Sequence, residues 1–449
     1  MSKRSQASDR SSAVSSVEDY APYAAEDGRL PTGVPAALVL LDLPGEDGES
    51  RLTELKALCS SAGYPVVAEL RQHREHPHPK TYVGTGKLDE VGAALGSHGA
   101  ALVVTDRELS PTQLKELEET LEVPVADRTR LILELFAQRA HSREGKLQVR
   151  LAGLKYALSH LVGLGPEMSR LGGGVGTRGP GEPKLRAERS RLRRQIHLLE
   201  ERMRRLADRR SLARSRRKEA EVPTVGIIGY TNGGKSTLLN ALAGAAVAVD
   251  DRLFATLDPT SRLVFLPSGR HMILTDTVGF IRDLPKDLFA AFRATIEEAT
   301  EADLLLHLVD ASDSECLRHI EAVERTLKVL SCERKTRIMV LNKIDRATRL
   351  PAIDQVRPEG GEPPLFVSAL TGQGLPELLL ALDEALAPPL YRQRLWVTYE
   401  QLGKVKALLG KEGLLSETDE DSGAWLEVEA TPKVLSQVVR LAQRASKPA

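Results

Sequence analysis

The sequence predicts an α/β protein in four folded parts: an N-terminal α/β domain, an antiparallel helical hairpin, a P-loop domain and a small C-terminal α+β domain. Three observations carry this reading. Between Pro35 and Asp127, short apolar runs alternate with helical stretches. Two heptad-spaced apolar seams follow, parted by a segment too rich in glycine and proline to be helix. Residues 229–236 then read GYTNGGKS, set between the apolar run TVGII and the helix-like STLLNALAG.

Composition sets the outer limits. With 449 residues, of which 41% are hydrophobic and 28% charged, the chain has room for about three domains of roughly 150 residues and reads as soluble and globular. Cys59, Cys316 and Cys332 lack metal-ligand spacing, which argues against a zinc site or disulfide framework and for a reducing compartment. No apolar run approaches the roughly 20 residues a spanning helix needs. Residues 1–34 form a Ser- and Ala-rich tail without the apolar core of a secretory signal, and Asp9, Glu18 and Asp19 disfavour a mitochondrial transit role. A cytoplasmic monomer is expected.

In residues 35–128 the alternation of AALVLLDL, RLTELKALC, PVVAEL, KLDEVGAAL, ALVVTD, PTQLKELEETL and VPVAD predicts a mainly parallel sheet with covering helices. YVGTGK brings Gly84, Gly86 and Lys87 to the start of a helix. It lacks the glycines of a dinucleotide fingerprint and the full P-loop, so a glycine-bearing turn is preferred to an anion site. His73, His76 and His78 lie among prolines without a carboxylate or cysteine at ligand spacing, which disfavours a metal.

Residues 129–222 contain the two seams. Leu147, Leu151, Leu154, Leu158 and Leu161 form one; Leu192, Ile196, Leu199, Met203 and Leu206 form the other. The intervening LGPEMSRLGGGVGTRGPGEPK must be a loop at the tip of a hairpin. The second arm is crowded with arginines against four acids, Glu188, Glu200, Glu201 and Asp208, although the whole chain carries zero formal charge. Such a local concentration of positive charge, including Arg193 and Arg194, points to nucleic-acid phosphate. At the tip, Gly172, Gly173, Gly174, Gly176 and Gly179 with Arg178 permit close backbone approach to folded RNA. Aromatics are only 4% of the chain, so base stacking is not its main RNA mode.

Residues 223–388 carry the chemistry. In a strand–loop–helix setting, the backbone of Gly229, Tyr230, Thr231, Asn232, Gly233 and Gly234 cradles phosphates, Lys235 neutralises the β- and γ-oxygens, Ser236 offers its hydroxyl to Mg2+, and Thr237 continues the helix. Asp276, Thr277, Val278 and Gly279 form a DxxG motif: Asp276 is a water-mediated metal partner and Gly279 presents its N–H to the γ-phosphate. Asn342, Lys343, Ile344 and Asp345 form NKxD, in which the Asp345 carboxylate accepts from guanine N1–H and the 2-amino group, Asn342 faces the base edge and the Lys343 stem covers the ring. Adenine has neither donor, so ATP would leave the carboxylate unpaired. Ser368, Ala369 and Leu370 close the base pocket. These motifs in this order, each behind a strand, predict GTP and GDP as ligands and Mg2+ as cofactor. Phe280 stands where other GTPases place a water-orienting glutamine, so turnover should be slow without a partner. Residues 389–449, with LWVTYE, QLGKVKALLG, an acidic turn SETDEDSG, AWLEVEA and PKVLSQVVRLAQRA, form the small α+β appendage.

Taken together, YVGTGK, DRTRLILELFAQRAHSREGKLQV, GGGVGTRGPGE, GYTNGGKST, LFATLDPTSR, DTVGFIRDLP and NKID resemble the HflX family of ribosome-associated GTPases over residues 35 to 390. The resemblance implies binding to the large ribosomal subunit and its RNA, a hairpin loop directed at the peptidyl transferase region, and nucleotide-dependent separation of stalled or idle ribosomes. It also makes Phe254, Ala255, Thr256, Leu257 and Asp258 a switch segment, with Thr256 completing the metal shell in the GTP state and Thr260 its local competitor. Pro183, Lys184 and Arg186 depart from the family's Thr-Gln-Leu-Glu run, YALSHL replaces a Leu-Pro-Arg-Leu ending, and Gly233 stands where alanine is usual. Two other functions fit the residues: a ribosome-assembly GTPase, and a nucleotide-gated RNA-binding scaffold with little turnover.

Overall fold

A computed structural model describes residues 30–443 apart from 32, 164–180, 220–221, 245–252, 255, 284, 286–287, 290–295, 297–300, 357–361 and 411–412. The tip residues Gly172, Gly173, Gly174, Gly176, Arg178 and Gly179, and Ala255 of the switch segment, lie outside the described residues.

The N-terminal sheet comprises β1 (Ala36–Asp42), β2 (Val66–His73), β3 (Leu102–Thr105) and β4 (Val125–Ala126), all parallel in the order β2-β1-β3-β4. Strand β1 is central, and its period-2 alternation feeds two cores. Ala36, Leu38 and Leu40 meet Leu52, Leu55 and Leu58 of α1 (Gly48–Ala62), whereas Ala37, Val39 and Leu41 meet Leu88, Val91 and Leu95 of α2 (Thr85–His98) and Leu117 of α3 (Pro111–Leu121). Local chemistry starts the helices where the sequence marks them. Asp47 caps α1 by accepting from the Glu49 and Ser50 amides, and α3 opens on a Ser110–Gln113 capping box with Pro111 in its first turn.

Helix α4 (Arg128–Arg139) is buried almost all round: Leu131, Ile132, Leu133, Leu135 and Phe136 are each 0–1% exposed and join the same core as β1 and α1. Its cap, Asp127, also accepts from the Leu109 amide (3.1 Å) and the Tyr156 hydroxyl (3.0 Å), fixing α5 (Arg143–Gly163) against the sheet. The opposite side of α5 packs Leu151, Leu154, Ala157 and Leu161 on Leu185, Leu192, Ile196 and Leu199 of α6 (Gly181–Glu219). Two cross-contacts give the direction. Lys155 pairs with Glu200 at 2.8 Å and Arg189 donates to the Leu161 carbonyl at 2.7 Å, so the arms run antiparallel, as the two seams predict. Arg193 and Arg194 are exposed on the outer face of α6.

The second sheet has the order β10-β9-β8-β5-β7-β6, from β5 (Thr224–Gly229), β6 (Thr260–Phe265), β7 (His271–Asp276), β8 (Leu304–Asp310), β9 (Arg337–Asn342) and β10 (Leu365–Phe366); only β6 runs antiparallel. Among the described residues, helices α7 (Lys235–Leu242), α8 (Cys316–Val329), α9 (Ile353–Val356) and α10 (Leu375–Ala385) accompany it. Because later strands lie on both sides of β5, its carboxyl end is the point where open α/β sheets leave a crevice for ligands.

Residues 381–449 form a separate compact unit. There β11 (Tyr391–Thr398), β12 (Leu414–Glu420) and β13 (Gly423–Ala430) make an antiparallel sheet in the order β11-β13-β12, with α11 (Tyr399–Leu409) and α12 (Pro432–Gln443). The segment SETDED, read from its acidity as a turn, is mostly strand β12. Its partner β13 supplies the apolar alternation, and β12 is an edge strand whose side chains face water, so its own pattern carries no strand signal.

Candidate nucleotide site and its contacts with the N-terminal region

The predicted motifs converge at the carboxyl ends of β5, β7, β8, β9 and β10. Ile227 pairs with Asp276, Gly229 with Leu308 and Asp310 with Asn342, so strand register alone aligns the phosphate loop, the DxxG motif and the NKxD motif on one edge. Gly234 begins α7 in the left-handed region, at φ 89°, and a side chain there would collide with Asn342. Lys235 is 6% exposed, and its Nζ donates to the carbonyls of Tyr230 (2.9 Å) and Gly229 (3.3 Å). Burial, opposed by Asp276 and reinforced by Lys343, pulls its pKa down to about 8.

Three oxygen donors meet beside it. Ser236 Oγ lies 2.7 Å from Thr256 Oγ1 and from Asp276 Oδ2, and Thr256 Oγ1 lies 2.9 Å from the same carboxylate oxygen. The other oxygen, Asp276 Oδ1, is buried with no hydrogen bond among the described residues. Burial raises the Asp276 pKa, with Lys235, Ser236 and Thr256 pulling the other way. Hydroxyl and carboxylate oxygens at this spacing fit a hard divalent cation. Thr260 begins β6, paired with Asp276 across the hairpin, and Thr256 is the threonine that joins the oxygen cluster.

Gly279 is held by close approach: a Cβ there would come within 2.8 Å of Thr231 Cγ2 and 3.0 Å of Lys235 Nζ. Phe280 is 3% exposed and packs into the core, while its carbonyl accepts from the Thr231 amide (2.8 Å) and its amide donates to the Gly229 carbonyl (3.0 Å). Thr277 donates to the Ile227 carbonyl (2.7 Å). Phe254, Leu257 and Val278 also send their side chains into the core, leaving only backbone to face a nucleotide. Thr237 follows Ser236 on α7 and is half-buried.

In the base motif, Asn342 is 1% exposed and both ends of its amide are engaged: Nδ2 donates to the Gly233 carbonyl (2.9 Å) and Oδ1 accepts from the Ala369 amide (3.0 Å). It therefore clamps the phosphate loop to the base-pocket loop. Lys343 adopts φ 63° with its ammonium 2.7 Å from Asp310, and Ser368 Oγ donates to Asp345 Oδ1 at 2.6 Å. Ile344 and Phe366 both pack on the cluster of Val309, Met339 and Leu341, and Leu370 is 69% exposed.

A second set of residues is invisible to motif reading. Tyr230 turns its ring away from the phosphate loop, stacks on His319 (centroids 3.8 Å apart) and donates to Glu54 of α1 at 2.6 Å. Burial, with Glu54 adding to it, pushes the Tyr230 phenol well above its ordinary pKa, so it stays a donor. Glu54 also binds Arg128 at 2.7 Å, and Arg128 donates to the backbone carbonyls of Arg282 and Asp283 just beyond the DxxG motif. Arg282 reaches back to Ser50 Oγ at 2.7 Å, and its own amide donates to the Tyr230 hydroxyl at 3.1 Å. Ser50, Glu54, Tyr230, Arg282 and His319 line a cavity of about 440 Å³ between α1 and the phosphate loop. No local sequence signal marks Glu54 or Arg128, since their partners lie more than 70 residues away. Elsewhere, Lys87 is paired with Glu90 and His78 Nδ1 bonds the Thr81 amide; no metal-holding cluster of histidine, cysteine, aspartate or glutamate occurs among the described residues.

Family models match three successive stretches: GTP-binding GTPase N-terminal at residues 49–137, GTP-binding GTPase middle region at 139–217, and 50S ribosome-binding GTPase at 224–343. A GTPase HflX from Caldanaerobacter subterraneus subsp. tengcongensis is 44% identical over 398 residues, covering 89% of this chain and 91% of that protein. The chain belongs to the HflX family of GTPases. The GTPase HflX of Escherichia coli is 43% identical, over 80% of this chain and 84% of its own. Among solved structures, a GTP-binding protein of Sulfolobus solfataricus in complex with GDP is 24% identical with a TM-score of 0.44, covering 79% of this chain and 98% of that one. The GTPase model spans the phosphate loop, the DxxG motif and the first two residues of the NKxD motif. No helix among the described residues is long and apolar enough to cross a membrane.

Proposed function

We propose that this chain is a Mg2+-dependent GTPase that binds the large ribosomal subunit through its basic hairpin and separates stalled or idle ribosomes in the GTP state. The observation that carries the reading is the joint one: the oxygen triad of Ser236, Thr256 and Asp276 beside Lys235, on the same compact unit as an antiparallel hairpin whose outer face bears Arg193 and Arg194. The family match to a 50S ribosome-binding GTPase, and the HflX relatives, support the choice of partner.

In this reading the Lys235 ammonium and the loop amides neutralise charge on the β- and γ-phosphates as water attacks in line. Ser236 and Thr256 would hold Mg2+ directly and Asp276 through water, and the ion would supply positive charge against that developing on the phosphate. Asp345 accepts the guanine donors with the carboxylate oxygen that Ser368 leaves free. Phe280 is packed in the core, so the group that orders the attacking water comes from the switches or from the ribosome. Gly172, Gly173, Gly174, Gly176, Arg178 and Gly179 at the tip would make the working contact, and the arginines of α6 would supply phosphate attraction.

The deciding experiment is sedimentation of ribosomes with a non-hydrolysable GTP analogue, alongside GTPase rates with whole ribosomes and with isolated subunits. Separation of whole ribosomes, with turnover stimulated by the large subunit, is expected. Stimulation only by immature particles would instead identify an assembly factor. GTP-dependent RNA binding without stimulated turnover would identify a scaffold.

A further inference from the structure

We propose that Asp258 is a positioning residue that ties the switch threonine, Thr256, to the first arm of the hairpin, so that the nucleotide state is felt at the start of α5. The proposal rests on the GTP-binding reading above and deepens it.

Asp258 lies two residues after Thr256 and turns away from the nucleotide site. Its Oδ2 accepts from the backbone amides of Ser142 (2.6 Å) and His141 (3.0 Å), and its Oδ1 accepts from the Ser142 hydroxyl. Ser142 is in turn the residue that opens α5: its hydroxyl accepts from the Gly145 amide at 2.8 Å, and its carbonyl accepts from the Lys146 amide at 3.1 Å. The carboxylate therefore sits at a helix N-terminus, where free amides and the helix dipole favour negative charge. The approach is close. A Cβ on Gly145 would collide with Asp258 Oδ1, so the first turn of the arm is shaped to admit this side chain.

On the other flank of Thr256 stands an apolar anchor. Phe254 is 2% exposed, adopts φ 55°, and meets Phe136 of α4 edge-on with ring centroids 4.7 Å apart. The preceding amide, of Leu253, donates to Ser61 of α1 at 3.0 Å. Thr256 is thus bracketed by one side chain packed on α4 and another bonded to the start of α5, while its own hydroxyl reaches Ser236 and Asp276. The bracket spans three residues on either side of which the chain is fixed. Thr256 cannot leave the oxygen triad by more than small adjustments unless one anchor lets go. Asp258 is the anchor that can release, because its bonds exchange for water, whereas Phe254 would have to expose an aromatic ring. Loss of the triphosphate-state contact at Thr256 then weakens the Asp258 bonds to α5, and by linkage the same bonds favour the triphosphate state.

The test uses the full chain and two readouts: affinities for fluorescent GDP and for a non-hydrolysable GTP analogue, and hydrogen exchange of the amides at residues 141–146. Asp258→Ala should lower affinity for the analogue about tenfold while changing GDP affinity less than twofold, the range expected of an intersite coupling. Ser142→Ala, which alters only the receiving end, should lower it in the same direction by about threefold, and the double variant should be no worse than Asp258→Ala. In the parent protein the 141–146 amides should exchange more slowly with the analogue than with GDP, and Asp258→Ala should erase that difference. Equal losses of GDP and analogue affinity, or exchange at 141–146 that ignores the nucleotide, would overturn the link. A parent protein that binds neither nucleotide would instead overturn the GTP-binding reading on which it rests.

Discussion

Lys235 places a titration inside the binding site. Its pKa of about 8 reflects an ammonium stripped of water, and phosphate oxygens would restore the stabilisation it lacks. The bound value must then lie above the free one, so above about pH 8 each binding event takes up a proton. GTP and GDP affinity should hold steady below pH 7 and fall as pH rises through 8, toward tenfold per pH unit at the limit. In the nucleotide-free protein the sign is reversed: between pH 8 and the ordinary lysine range the unfolded chain binds more protons, so this group's contribution to stability rises with pH. Calorimetric affinities across pH 6.5–9.5 measure the first effect, and a Lys235→Ala profile that keeps the same slope would assign it elsewhere. Asp345 makes a second prediction at this scale. Ser368 occupies one of its oxygens, so Asp345→Asn should weaken GTP by roughly 10–100-fold and favour xanthosine triphosphate, whose 2-oxo group meets the new amide. Competition of ATP equal to that of GTP in the parent protein would refute the base assignment.

At the scale of elements, legibility followed periodicity. The hairpin seams were readable because Leu151, Leu154 and Leu161, and Leu192, Ile196 and Leu199, repeat at heptad spacing and do bury together. Strand β1 was readable because a central parallel strand is apolar throughout. Strand β12 was not, since an edge strand takes its pairing from β13 and from Ser416 onward shows water only polar side chains. Helix α4 was half legible: DRTRLILELF is helical in pattern, but burial on every side follows from what packs around it, not from its own sequence. The seam gives a stability prediction. Leu192 is 0% exposed, so Leu192→Ala should cost about 2–5 kcal/mol locally and raise hydrogen exchange along α5 and α6, with GTP affinity little changed. Charge reversal at the exposed Arg193 and Arg194 should leave folding intact, weaken ribosome co-sedimentation, and flatten its dependence on salt. An unchanged salt slope would remove α6 from the phosphate contact.

At the scale of the whole molecule, the GTP site could be read from the sequence and its surroundings could not. Short motifs report on a ligand held by neighbours in the chain, as in GYTNGGKS. The hydrogen bonds of the clamp of Glu54, Arg128, Tyr230 and Arg282 join residues separated by 52 to 176 positions, and none of them carries a local pattern that names its partner. Yet one core runs from Leu38 of β1 and Leu55 of α1 to Ile228 and Phe280 beneath the phosphate loop, so the two regions fold around shared contacts. The clamp tests that sharing. Arg128 and Glu54 have side chains 10% and 14% exposed, and removing one partner leaves the other charge poorly solvated. Arg128→Ala should therefore lower stability by about 3 kcal/mol and speed amide exchange at Arg282 and Asp283, whose carbonyl partners it removes from the backbone. A Glu54→Leu, Arg128→Leu double variant should recover part of the stability, because no buried charge is stranded, while the exchange at Arg282 and Asp283 stays fast. Denaturant midpoints and exchange rates for the double variant and for Glu54→Leu and Arg128→Leu alone decide the matter. If the double variant loses the full sum of the single losses, the pair is not coupled, and the N-terminal region holds the segment after Gly279 by apolar packing alone.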